Sequence, residues 1–176
     1  MITFIRVLGV LCMAGCALAG PGAGPPSRAP GGKAGVVRAD GLVLKATAEF
    51  WEDRMPMMPV PKTPDDNAGR FHASLKLGVA NEGKKKVAHF AVPEFIVYYG
   101  GTTREFCRMR PNPVGGSSVN PTVAPGSQVT LEYSGVPEKV GALKDSMTVY
   151  GQAVVTYGKG RRVSVLTSES NVMITY

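Results

Sequence analysis

The chain offers few side chains for chemistry: two histidines, thirteen carboxylates and three cysteines. His72 sits in an alternating stretch on the face opposite Phe71 and Leu75, where a solvent-facing imidazole is expected. His89, between Ala88 and Phe90, is expected in a strand with its ring hydrogen-bonded. Cys12 and Cys16 lie at the extreme N-terminus, which leaves Cys107 alone in a strand-like run. With no adjacent base it reads as a small buried hydrophobe and not as a thiolate nucleophile. No Gly-x-Ser-x-Gly, His-Glu-x-x-His, Cys-x-x-Cys or Gly-x-Gly-x-x-Gly pattern occurs. Gly78 to Lys84 has the glycine and lysine spacing of a phosphate loop, but Lys85 stands where a Mg²⁺-binding hydroxyl is required. The segment also joins two strands, so no helix N-terminus faces a phosphate. Asp65-Asp66 and Glu49, Glu52 and Asp53 are the carboxylates available for acid–base work, and adjacent acids in a proline-rich loop read as a solvated turn. The chemistry excludes a recognisable enzyme and implies no cofactor.

Two other constellations remain. Met55-Pro-Met57-Met58-Pro places three soft thioethers in one loop, a ligand set that suits Cu(I), with a hydrophobic loop packed on the fold as the alternative. The chain carries a formal charge of +7. Its cations cluster at Lys84, Lys85 and Lys86, at Lys159, Arg161 and Arg162, and at Arg104, Arg108 and Arg110. The last three share one strand parity with Phe106 between them, so they are expected to project from a single face. A basic face favours an anionic polymer, lipid surface or protein as partner.

The N-terminus says where such a partner would be met. Met1 to Arg6 carries one positive charge and no acid, and Val7 to Gly15 is a short apolar run ending in small residues. That is the layout of a secretory signal peptide, here residues 1–15. Ala17-Leu18-Ala19 permits ordinary cleavage before Gly20, which would release a secreted or periplasmic protein. Met13-Ala14-Gly15-Cys16 resembles the lipobox of bacterial lipoproteins, with Met in place of the usual Leu. The resemblance implies that Cys16 becomes a lipidated N-terminus. Ala17 lacks the acidic inner-membrane retention signal, which points to the outer membrane, facing the periplasm or the cell surface. The lipobox is the preferred reading because the following residues, 16–41, include Gly20 to Pro26 and Pro30-Gly-Gly32. Such a stretch buries too little apolar surface to offset its ordering entropy and reads as a disordered tether. By coil scaling it reaches roughly 25 Å from a membrane. Export in turn argues against nucleic acid as a partner.

From Leu42 the pattern has period two. Leu42, Leu44, Ala46, Ala48 and Phe50 alternate with Val43, Lys45, Thr47 and Glu49. Phe71 to Val79 alternates in the same way, and Asn81-Glu-Gly83 supplies turn chemistry. Val87 to Tyr99 is extended but interrupted by Pro93, which predicts a bulge or an edge. Gly100-Gly101 turns the chain into Thr102–Met109, Arg110 to Pro125 is a proline- and glycine-rich excursion, and Val129, Leu131 and Tyr133 alternate again. Val136 to Asp145 has room for one helical turn, limited by Gly141. Ser146–Tyr157 and Arg162–Leu166 form a hairpin about Gly158-Lys-Gly160, and Val172, Ile174 and Tyr176 end the chain. Seven or eight short strands predict an all-β, antiparallel Ig-like β-sandwich over residues 42–176.

Leu75 to Gly83 followed by Val87 and Phe90, together with Ala124-Pro-Gly-Ser127 before Val129, resembles bacterial Ig-like modules of surface proteins. The resemblance implies the fold and a non-catalytic habit, and it transfers no site residue. The combined expectation is an exported, lipid-anchored, non-enzymatic binding or structural module of the bacterial cell envelope. Two alternatives stay open: a periplasmic copper-handling protein using Met55, Met57 and Met58, and an inhibitor that plugs an envelope enzyme with a proline-stiffened loop such as Met55–Pro64 or Arg110–Pro125.

Overall fold

Side-chain alternation along the strands decides which face of each is buried. The computed structural model describes residues 35–55, 69–114 and 121–176. The first sheet contains β1 (Val36–Ala39), β2 (Leu42–Asp53), β3 (Phe71–Asn81), β6 (Asn112–Pro113), β7 (Gln128–Gly135) and β11 (Met173–Thr175). The second contains β4 (Ala91–Tyr99), β5 (Glu105–Met109), β8 (Thr148–Tyr157), β9 (Arg161–Leu166) and β10 (Ser170–Asn171). All pairings are antiparallel except β11, which runs parallel to β2. The path β2-β3-β7-β6 facing β9-β8-β4-β5 is the strand order A-B-E-D against G-F-C-C′ of an immunoglobulin-like sandwich. Among the described residues seven strands have five residues or more, within the seven or eight that the turn spacing predicts.

Leu42, Leu44, Ala46 and Phe50 of β2 and Phe71, Ala73, Leu75, Leu77 and Val79 of β3 all point inward and are buried. From the other sheet Phe95 and Val97 of β4, Val149, Ala153 and Val155 of β8 and Val165 of β9 meet them. Rings carry the contact between sheets. Phe50 stacks on Phe95 and on Phe71, each at 6.1 Å between centroids, and Phe106 meets Phe71 edge-on at 4.8 Å. Among the described residues no disulfide supports this core, and Cys107 is a buried free thiol. Burial pushes that thiol's pKa well up, so it stays protonated.

Several local expectations need correcting. The first sheet starts at Val36, inside the stretch assigned to the tether: Val36–Ala39 folds back on Leu42–Lys45 through Asp40 and Gly41, both with positive φ. Val136 to Asp145 forms no helical turn. It runs past the β5 edge instead, held by a bridge between Cys107 and Val140 and by Gly141 N–H donating to Phe106 O at 2.8 Å. A Cβ on Gly141 would lie 2.2 Å from the Tyr99 hydroxyl, so any larger residue here would have to displace the Tyr99 ring. His89 lies outside any strand, exposed and left-handed (φ 59°), because the chain must turn there between the Val87–Val123 bridge and β4. Pro93 does coincide with a bulge: the register against β8 shifts between Ala91 and Glu94.

Candidate functional site

A second bulge decides what the arginine strand can do. Val97 pairs with Cys107 and Tyr98 with Glu105, so Phe106 is the extra residue in β5. Its ring turns into the core beside the equally buried Cys107. The parity that would have aligned Arg104 with Arg108 and Arg110 is broken at that point. Arg104 sits over the Tyr99 ring, 5.5 Å from its centroid, whereas Arg108 joins Glu105 on the outer face of the second sheet. There Arg108 donates to Glu94 at 2.6 Å and to Glu105 at 2.9 Å, and Arg162 reaches Glu94 at 3.2 Å. Two carboxylates thus hold Arg108, and the expected single basic face does not form. Arg110 is exposed and lines a groove of about 1000 Å³ along β5, shared with Arg108, Lys139, Glu105 and Glu138.

The unpaired cations gather elsewhere. The β1–β2 turn, the link after β3, the Pro125-Gly126 turn and the β8–β9 turn all meet at one end of the sandwich. Glu82 N–H donates to Gly41 O, Gly126 N–H to Asn81 O and Gly158 N–H to Ala88 O, each at 2.8 Å. Arg161 forms an ion pair with Asp40, and Arg38 with Glu82. The Tyr157 hydroxyl donates to Asp40 at 2.7 Å. Burial, reinforced by that bond, pushes the Tyr157 phenol up to about 12, while Tyr157 and then Arg161 hold the Asp40 carboxyl below its usual range. Among the described residues, Asp40 and Glu82 at this end are thus each already paired with an arginine. Lys84, Lys85, Lys86 and Lys159 are exposed here, and none meets a carboxylate among the described residues. Sequence clustering marked both turns as basic; only the fold puts them at the same end.

The remaining sequence candidates divide as follows. Met55 is exposed just beyond β2, while Met57 and Met58 lie outside the described residues, as do the lipobox Cys16 and the signal segment. Among the described residues no group of three His, Cys, Asp or Glu side chains is placed to hold a metal. His72 lies on the outer face as expected, with its ring stacked on Trp51 at 5.5 Å. Spacing alone did not reveal that contact, because the two residues come from different strands and meet only through the β2–β3 register, which pairs Trp51 with His72. A second feature escaped the sequence reading. Ile96, Tyr98 and Tyr150 form a buried cluster on the outer face of the second sheet, where Tyr98 donates to Gln152 at 2.9 Å.

No protein-family model matches the chain, and no curated protein matches it. Among solved structures, the structural-genomics target SoR45 aligns at TM-score 0.40 and 12% identity, covering 78% of this chain and 90% of its own. A FixG-related protein from Vibrio parahaemolyticus aligns at TM-score 0.35 and 16% identity, covering 74% and 97%. A copper-bound PCuAC domain from PmoF2 aligns at TM-score 0.32 and 10% identity, covering 75% and 93%. Superpositions this loose assign neither a ligand nor a partner to the chain.

Proposed function

We propose that the protein is an exported, lipid-anchored, non-enzymatic binding module of the bacterial cell envelope. It engages an anionic envelope partner through the lysine-rich end of its sandwich. The observation that carries the reading is the gathering of Lys84, Lys85, Lys86 and Lys159 on adjoining turns whose carboxylates are spent on Arg38 and Arg161. Exposed ammonium groups without counter-charges raise the local concentration of polyanions and steer their approach. Display at the envelope rests on the signal-like N-terminus and on Cys16 as the acylated residue. A lipid-anchored domain meets anionic headgroups and polymers within the reach of its tether.

The test is binding of the purified domain to vesicles of phosphatidylglycerol and phosphatidylcholine. Each lysine near an anionic surface is worth about 1 kcal/mol, so replacing Lys84, Lys85 and Lys86 with serine should weaken binding roughly a hundredfold at low salt. Arg104/Arg108/Arg110→Ser should cost less than about threefold, because Arg104 sits over Tyr99 at the far end of β4, Arg110 faces the groove along β5, and Arg108 is already neutralised. Equal binding by wild type and the lysine variant, or binding that ignores salt, would reject the site. The anchor is tested separately: labelled palmitate should mark the wild type in a bacterial host and not Cys16→Ser.

A further inference from the structure

We infer that Asn81 is the positioning residue of the lysine-rich end, and that the end therefore engages several phosphate groups of an anionic lipid surface at once. The inference rests on the proposed function and adds the means by which the site is built. Asn81 closes β3 with its side chain turned inward, and it is only 2% exposed. Its amide donates to Lys85 O at 2.8 Å and to Val123 O at 2.9 Å, and its side-chain oxygen accepts from Gly83 N–H at 3.0 Å. Its main chain adds a bond to Ser127 O at 2.9 Å and one from Gly126 N–H at 2.8 Å. The side chain thus uses both of its donors and its oxygen to fasten the lysine turn to Val123, and the main chain adds the bonds to Gly126 and Ser127. A buried amide in this position has few substitutes, since the site needs two donors and one acceptor in a plane.

A second brace comes from the neighbouring turn. A Cβ on Gly41 would lie 2.8 Å from the Gly83 Cα, so the two turns pack backbone against backbone. Lys84, Lys85 and Lys86 thus spring from a chain held on two sides, while their flexible stems leave the ammonium groups in solvent. Lysine is a point charge without the planar fork that grips one phosphate in two places. The buried amide of Asn81 is not free to cradle a single anion, because both of its donors are already used. A fixed base carrying several point charges suits a surface of many phosphates. Holding the base rigid lowers the ordering cost of binding them together.

The experiment uses the same phosphatidylglycerol vesicles and measures affinity over a range of salt concentrations. The slope of log affinity against log salt reports how many charges engage together. Asn81→Ala removes all three side-chain bonds without adding charge, and Asn81→Ser is the milder variant for the case that alanine does not fold. At a temperature where the variant is folded by circular dichroism, binding should be about five- to thirtyfold weaker, equivalent to losing one or two lysine contacts, with a shallower slope. A purely structural asparagine would lower the unfolding temperature and leave affinity and slope at wild-type values. That result in a folded variant overturns the inference. Inorganic phosphate at matched ionic strength should displace the protein from vesicles no better than chloride; stronger displacement would mean a single-phosphate site and would also overturn it. If instead Lys84/Lys85/Lys86→Ser binds like wild type, the proposed function fails with it. Loss of binding in the lysine variant beside wild-type behaviour in both Asn81 variants removes this inference alone.

Discussion

Gly151 gives the most direct test of how the two sheets are held. It lies on the inner face of β8 opposite Val97, and a Cβ there would stand 2.2 Å from Phe95 Cζ and 2.4 Å from Cε2. Relief requires the ring to move by roughly 1.3 to 1.8 Å, the difference from an ordinary carbon–carbon contact. Phe95 has nowhere to go: it is fully buried, and its ring lies nearly parallel to Phe50, which in turn stacks on Phe71. Overpacking of this kind costs about 1–3 kcal/mol. The lower entropy of an unfolded chain with alanine offsets about 0.4–1 kcal/mol of that. Gly151→Ala should therefore destabilise by roughly 1 to 2 kcal/mol, or several degrees in Tm for a domain of this size. Gly135→Ala is the control. Its Cβ would meet Met109 Sδ at 2.8 Å, part of a buried but unbranched side chain that adapts more readily than a ring. Urea unfolding of both variants, followed by circular dichroism, measures the difference. A Gly151→Ala protein as stable as wild type, or one more stable than Gly135→Ala, would refute the account of the inter-sheet contact.

Two further outcomes follow from the same geometry. Asp40 has a depressed pKa in the folded state, so its interactions with Tyr157 and Arg161 stabilise the protein above the ordinary carboxylate range and are lost as pH falls through the folded value. Asp40→Asn, which tolerates the same positive φ, should be less stable than wild type at neutral pH, and the gap should close in acid; a gap independent of pH in urea titrations would contradict the pairing. Cys107 should resist a thiol-specific disulfide reagent in the native protein and react at a rate set by unfolding, because burial keeps it protonated and out of reach. Rapid modification without denaturant would show that the β5 edge opens.

Much of the frame was legible from residue order. Strict alternation from Phe71 to Val79 assigns one face of β3 to the core, and the glycines about Lys159 place the β8–β9 turn. Pro93, unable to donate to a ladder, marked its own bulge. These features depend on neighbours along the chain, which is why a single sequence reveals them. β1 escaped because four residues are too few to show a period, and its place depends on the edge of β2 that receives it.

The functional surface followed a different rule. Arg104, Arg108 and Arg110 share a parity in the sequence, yet one inward-turning ring at Phe106 separates them and two carboxylates from other positions neutralise Arg108. Lys84–Lys86 and Lys159 are distant in the chain and carry no signal of belonging together. They become one surface only when Gly158 bonds to Ala88 and Arg161 to Asp40. Local periodicity depends on bonds between adjacent residues, so composition and order were enough to determine the pleated sandwich. Which charges cancel and which add depends on through-space distances of a few ångströms between strands, and those exist only once the two sheets have closed on each other.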